Sequence, residues 1–265
     1  MAAVAASASD GIPAQPLIHG SGTPDSAWRN WPGWDALAAT DDTALVPAGA
    51  RAVIVAPHPD DEVLACGGLL RRLAARGADV LVVAVSDGTA SHPGSRRWPV
   101  WRLAAERPRE TQSALRVLGL SGSAHARVVR AGLPDGAIRQ HTDRLQGLLQ
   151  RLLNPHDVVF TTWRHDGHPD HDATGDATAQ AAQRASARLV EVAVWAWHWA
   201  APGDARLPWA RAQQLRLSPE EVRAKSRAMR EFRSQIDPDP STGNAPILGA
   251  TALQRAAWPR EIYFT

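Results

Sequence analysis

From Arg51 onward, short runs of β-branched residues alternate with segments of helical periodicity, and this alternation leaves the chain few architectures to choose from. "RAVIVAP" (51–57) reads as a buried strand, "DEVLACGGLLRRLAARG" (61–77) spaces its apolar residues like a helix and stops at a glycine, and "ADVLVVAVSDG" (78–88) is a second buried strand. A strand, a helix and a strand of these lengths make a βαβ unit, which implies parallel strands joined by a right-handed crossover. The rhythm continues with a helix over 101–122 whose early turns contain Pro108, a strand and turn over 126–136, a helix over 141–155 and a strand over 157–163. A loop feeding a helix follows over 165–187, and "RLVEVAVWAWHWA" (188–200) reads as one long strand. With 265 residues, 44% of them hydrophobic, the chain can bury a substantial core. The expectation is α/β: a single domain over 49–265 with a mostly parallel, Rossmann-like sheet flanked by helices.

Residues 1–48 are rich in Ala, Gly, Pro, Ser and Asp and read as an N-terminal extension, partly mobile. Trp28, Trp31 and Trp34 are costly to leave in water, so their segment is expected to fold back as a Trp-rich cover on the core or the site mouth. The net charge is only +2 and the arginines are scattered, which argues against a nucleic-acid surface. Cys66, the single cysteine, permits no intrachain disulfide and reads as a packed helix residue. No basic leader precedes an apolar run, and no stretch approaches the roughly 20 apolar residues of a membrane helix. The expected location is cytoplasmic, with no membrane span.

In open α/β sheets, ligands sit beyond the carboxyl ends of the strands. Two loops rich in histidine and aspartate lie in that place, each directly after a strand. The first holds His58, Asp60, Asp61 and Glu62; the second holds His165, His168, Asp170 and His171. Imidazole and carboxylate suit a zinc-like ion, and a catalytic site commonly holds one with three protein groups while leaving a position open. The spacing H-x-x-D lets His58 and Asp61 turn toward one point while Asp60 points elsewhere, and one histidine from the second loop completes a set. Iron(II) suits such a set as well as zinc. The plainer reading is capping: Asp60 or Asp61 before the first helix and Asp170 before the second, with Glu62 in a first helical turn.

"PHPDDE" at Pro57 to Glu62 and "HPDH" at His168 to His171 resemble the two signature motifs of the PIG-L/LmbE-like family of zinc-dependent N-acetylglucosaminyl deacetylases. "SDG" at 86–88, "RPRE" at 107–110, "PDG" at 134–136 and Lys225 with Ser234 and Gln235 resemble further family positions, so the likeness runs from about Arg51 to about Gln235. The resemblance implies that His58, Asp61 and His171 bind Zn2+, that Asp60 is the general base, and that His168 stabilises or protonates the tetrahedral intermediate. It implies also that Asp170 orients His168 and that Arg107 and Asp135 touch the sugar. Some members carry a tyrosine two residues before the first histidine of the second motif; this chain has Asp166 there.

The implied activity is hydrolysis of an N-acetyl or N-acyl group on a small-molecule amino sugar or glycoconjugate. Hydrolysis of another amide or of an ester, and non-catalytic sugar binding, are the alternatives. A serine hydrolase would need a G-x-S-x-G elbow, and a dinucleotide enzyme a glycine fingerprint after the first strand; neither is present. Trp195, Trp197 and Trp199 alternate with Ala196, His198 and Ala200 and are expected on one face of the last strand, as core filling, a subunit contact or a sugar platform.

Overall fold

The computed structural model describes residue 18 and residues 20–120 and 125–265; the expectation of a mobile start falls largely on 1–17, outside the described residues. The sheet contains β1 (Ala38–Thr40), β2 (Arg51–Ala56), β3 (Val80–Ser86), β4 (Ala126–Leu133), β5 (Asp157–Thr162), β6 (Arg188–Val192), β7 (Ala212–Arg216) and β8 (Arg260–Phe264). Their order is β1-β7-β8-β6-β5-β2-β3-β4, and only β8 runs antiparallel to its neighbours. β2, β3 and β5 are buried along nearly their whole length, as apolar strands covered on both faces must be.

Alternate residues of β2 divide the core in two. Ala52 and Ile54 pack with Leu69 and Leu73 of the helix Asp61–Ala75, and with Ala224 and Ala228 of the helix Pro219–Met229. Val53 and Val55 pack on the opposite face with Leu145 and Leu149 of the helix Thr142–Leu152, and with Ala177 and Ala181 of the helix Pro169–Arg184. That last helix lies very close to the end of β5, because a Cβ on Gly175 would stand 2.6 Å from the Thr162 carbonyl oxygen. The closeness requires glycine there and seats the second motif loop against the strand.

Three features differ from the sequence expectation. First, β1 lies before residue 49 and pairs in parallel with β7, so the sheet itself extends into the N-terminal segment. Trp28 and Trp34 are buried with Trp197 and Trp258, and the Trp28 indole donates to the Trp197 carbonyl at 2.9 Å. Second, β7 and β8 have no counterpart in the sequence expectation. Third, 188–200 is not one strand. β6 ends at Val192 and the chain turns into a short helix, Ala196–Trp199, so the three tryptophans do not share a strand face. The cause is the Asp166 carboxylate, which accepts the N–H groups of Val194, Trp195 and Ala196 at 2.9 Å each and draws the backbone out of the ladder.

Candidate metal centre

β2 and β5 are parallel neighbours, yet the chain leaves β2 toward β3 and leaves β5 toward β6. Crossovers that diverge in this way open a crevice at the carboxyl ends of the two strands. Both motif loops empty into it.

In the first loop, Asp61 Oδ2 accepts the His58 backbone N–H at 3.0 Å and stands 3.3 Å from His58 Nδ1. The same oxygen lies 3.3 Å from Nε2 of His171, which sits in the first turn of the helix after β5. His58, Asp61 and His171 thus bring one ligand atom each to within 4.8 Å of one another. The far nitrogen of each imidazole faces carboxylate. His171 Nδ1 is 2.8 Å from Asp166 Oδ2, and His58 Nε2 is 3.2 Å from both Asp135 Oδ1 and Asp170 Oδ2. Such outer contacts fix the tautomer and aim the remaining nitrogen. His171 Nε2 is fully buried and has no hydrogen-bond partner, which is what a nitrogen reserved for a cation looks like.

His58, His168 and Asp170 also lie close enough to form a group. Part of their accepting capacity is already used, however. His168 Nδ1 accepts the Asp170 N–H at 3.2 Å, while the Asp170 carboxylate accepts the N–H groups of Gly136 at 2.7 Å and Ile138 at 3.1 Å.

The electrostatics suit a cation. Burial alone would lower both histidines, but hydrogen bonds to Asp135, Asp170 and Asp61 hold His58 well above its usual value. Against the same burial, Asp61 and Asp166 raise His171 to about 9. Burial would raise Asp61, but the two histidines hold it well below the usual carboxylate range.

Asp60 stands beside this set but outside it. Its backbone has φ 122°, unusual for a residue with a side chain, and its N–H donates to Glu62 Oε2 at 3.0 Å. Arg107, 2% exposed, donates to the Gly88 and Pro59 carbonyls at 2.7 and 2.6 Å and to Asp60 Oδ2 at 3.2 Å. Gly88 must be glycine, since a Cβ would meet the guanidinium at 1.6 Å. Burial raises Asp60 well above its ordinary value, opposed by Arg107 and reinforced by the charges of Asp61 and Glu62. Burial likewise brings Glu62 to about 7.

The capping reading holds in part: Asp60 occupies the N-cap position and Glu62 lies in the first turn, but the Asp60 side chain makes no cap hydrogen bond and His168, not Asp170, caps the second helix. The expected orienting role of Asp170 changes too: its backbone N–H holds His168, and its carboxylate faces His58 and two loop amides. Burial and the charges of His171 and His58 push His168 down to about 3, so the ring is neutral. With Nδ1 accepting, its proton sits on Nε2 as a donor. His165 packs edge-on against Trp163, away from the group.

Two contributors carry no signal of their role in the sequence. Asp166 stands out there only as a departure from the family pattern, although it both holds His171 and shapes the turn after β6. Glu261 pairs with Lys225 at 2.7 Å behind the first loop.

His58, Asp60, Asp61, Arg107, Asp135 and His168 line one end of a cavity of about 330 Å³. The family model described as "GlcNAc-PI de-N-acetylase", PIG-L, matches residues 53–182, a span that holds both loops. Over these residues the chain resembles the PIG-L family. Among curated proteins, the chain is 29% identical over 255 residues to the 1D-myo-inositol 2-acetamido-2-deoxy-alpha-D-glucopyranoside deacetylase of Corynebacterium efficiens, covering 80% of this chain and 81% of that one. It is 33% identical to the enzyme of the same name from Rhodococcus jostii over 51% of this chain, and spans only 54% of that one. Among solved structures, a conserved protein from Thermus thermophilus superposes with a TM-score of 0.50 at 26% identity, covering 73% of this chain and 83% of that one. The deacetylase of the A40926 pseudoaglycone reaches a TM-score of 0.56 at 23% identity, covering 74% and 87%, a likeness of fold alone. Among the described residues, no helix of this chain is long and apolar enough to cross a membrane.

Proposed function

We propose that the chain is a metal-dependent deacetylase that hydrolyses the N-acetyl, or a related N-acyl, amide of an amino sugar or glycoconjugate. The carrying observation is the buried Nε2 of His171, which makes no hydrogen bond and converges with Asp61 and His58 beside a carboxylate, Asp60, that is not part of the set. His58 through Nδ1, Asp61 through Oδ2 and His171 through Nε2 are the groups that would hold the ion. Zinc fits this donor set best, and iron(II) is compatible with it. When bound, such an ion supplies Lewis-acid chemistry, polarising a carbonyl and acidifying water.

The remaining roles belong to side chains. Asp60, fixed by Arg107, takes the proton from the water attacking the acyl carbon and can return it to the departing amine. Neutral His168 donates its Nε2–H to the oxygen that gains charge as the carbon becomes tetrahedral. Cleavage of the C–N bond releases a carboxylate and a free amine. Asp135 and Arg107, on the cavity wall, are assigned to the sugar. Asp135 Oδ2 accepts the Ala90 N–H at 2.7 Å, which ties the loop after β3 to the site.

The test is acetate release from a panel of N-acetylated hexosamines and their glycosides with zinc-loaded protein. Release from at least one sugar amide is expected; ester hydrolysis without any amide hydrolysis would contradict the proposal. Asp166→Asn is expected to weaken zinc binding about 10- to 100-fold, because it removes the charge that orients His171. Competition with a chromophoric chelator measures this, and an unchanged affinity would remove Asp166 from the site.

A further inference from the structure

β6 and β8 meet through a single residue pair, Glu191 with Phe264, whereas β7 and β8 pair over five positions. Beyond that pair the sheet splits. β6 gives way after Val192 to the turn held by Asp166, so Val192 and Val194 face Trp258 and Ile262 across a slot instead of a ladder. The slot is continuous with the cavity at the metal centre, and Leu64 and Leu248 also line it.

Its surface is mainly apolar, because most polar side chains around it are engaged elsewhere. Lys225 and Glu261 bind each other at 2.7 Å, Gln235 Nε2 donates to Ser234 Oγ at 2.8 Å, and Arg255 donates through Nη2 to the Thr23 carbonyl at 2.8 Å, while its buried Nε makes no hydrogen bond. Arg260 lies over the Trp34 ring. Ile247, on the cavity wall, is 39% exposed, one of few large apolar side chains so open to solvent. A sugar ring needs hydrogen-bonding partners along its edge, and this slot has few to give. A hydrocarbon needs none.

We infer that the slot is an alkyl-chain subsite, and that the preferred substrate carries an unbranched apolar chain either on its acyl carbon or on the aglycone of its sugar. This rests on the deacetylase reading above. Two series separate the sources: N-acetyl, N-butanoyl, N-hexanoyl and N-octanoyl glucosamine, and the methyl, butyl, hexyl and octyl glycosides of N-acetylglucosamine. With the zinc-loaded full chain, kcat/KM for amine release is expected to rise about three- to fourfold per methylene in one series until the slot is full. Ala252→Phe, on the helix Ala250–Ala256 that lines the slot, is expected to flatten that rise. Ile247→Arg, at a part-exposed position that tolerates polarity, is expected to do the same. Flat or falling values in both series, with the acetyl compounds still hydrolysed, would overturn the subsite and leave the deacetylase reading standing. A rise that persists in both variants would also overturn it. No amine from any compound would overturn both readings.

Discussion

Asp60→Asn is expected to keep the divalent ion bound and to lower kcat by roughly two to four orders of magnitude, the usual worth of a positioned general base. Asparagine preserves the shape of the side chain and can still accept a hydrogen bond from Arg107, but it cannot take a proton from water. The ligand groups of His58, Asp61 and His171 are untouched by the change, because Asp60 contributes no atom to their cluster. The loop already spends strain at this position, at φ 122°, to point the carboxylate into the cavity, and asparagine tolerates positive φ as well as aspartate does. Burial favours the protonated carboxylic acid, while Arg107 and a neighbouring cation favour the ionised base; the variant removes that balance altogether. The decisive pair of measurements is metal content and single-turnover rate on the same sample. Full turnover in a metal-replete Asp60→Asn protein would assign the base elsewhere.

Lys225→Met is expected to cost about 3–5 kcal/mol of stability, because it strands a buried carboxylate. Lys225 and Glu261 are almost wholly enclosed and sit at a break in the helix Asp61–Ala75, where Cys66 has non-helical angles, φ −130° and ψ 16°. Lys225 Nζ donates to the Leu64 carbonyl at 2.9 Å on one side of the break. On the other side, Glu261 accepts the N–H groups of Gly68 at 2.7 Å and Leu69 at 2.9 Å. The Tyr263 hydroxyl donates to the same carboxylate at 2.8 Å. An ion pair therefore caps both halves of a kinked helix whose first turn carries Asp61 and Glu62. Denaturant unfolding of the variant measures the cost, and a loss below about 1 kcal/mol would show that the pair is solvated or replaceable.

The centre of the parallel block was legible because β2, β3 and β5 are apolar on both faces and the helices are amphipathic, signals that stay within a window of a few residues. Both metal loops were legible for a related reason: their histidines and aspartates cluster within each loop. What the sequence hid is set over long distances. β1, with only partial burial, and β7, with mixed burial, carry weak period-two signals and gain their places by pairing at the sheet edge. The tryptophan run at 195–199 mimics strand alternation, and only Asp166, about thirty residues earlier, makes it a turn and helix. Glu261 caps a helix break almost two hundred residues away, at Gly68 and Leu69. No local pattern announces a carboxylate that serves a distant backbone.

The central claim is that His58, Asp61 and His171 hold one catalytic divalent ion. Its most direct test is to strip the protein with chelator, titrate zinc back, and record bound metal and amide hydrolysis together, in the parent and in His171→Ala. The parent is expected to regain activity in step with a single bound ion per chain, and His171→Ala to bind poorly and stay inactive. Undiminished hydrolysis by the stripped parent, or parental zinc affinity in His171→Ala, would contradict the account.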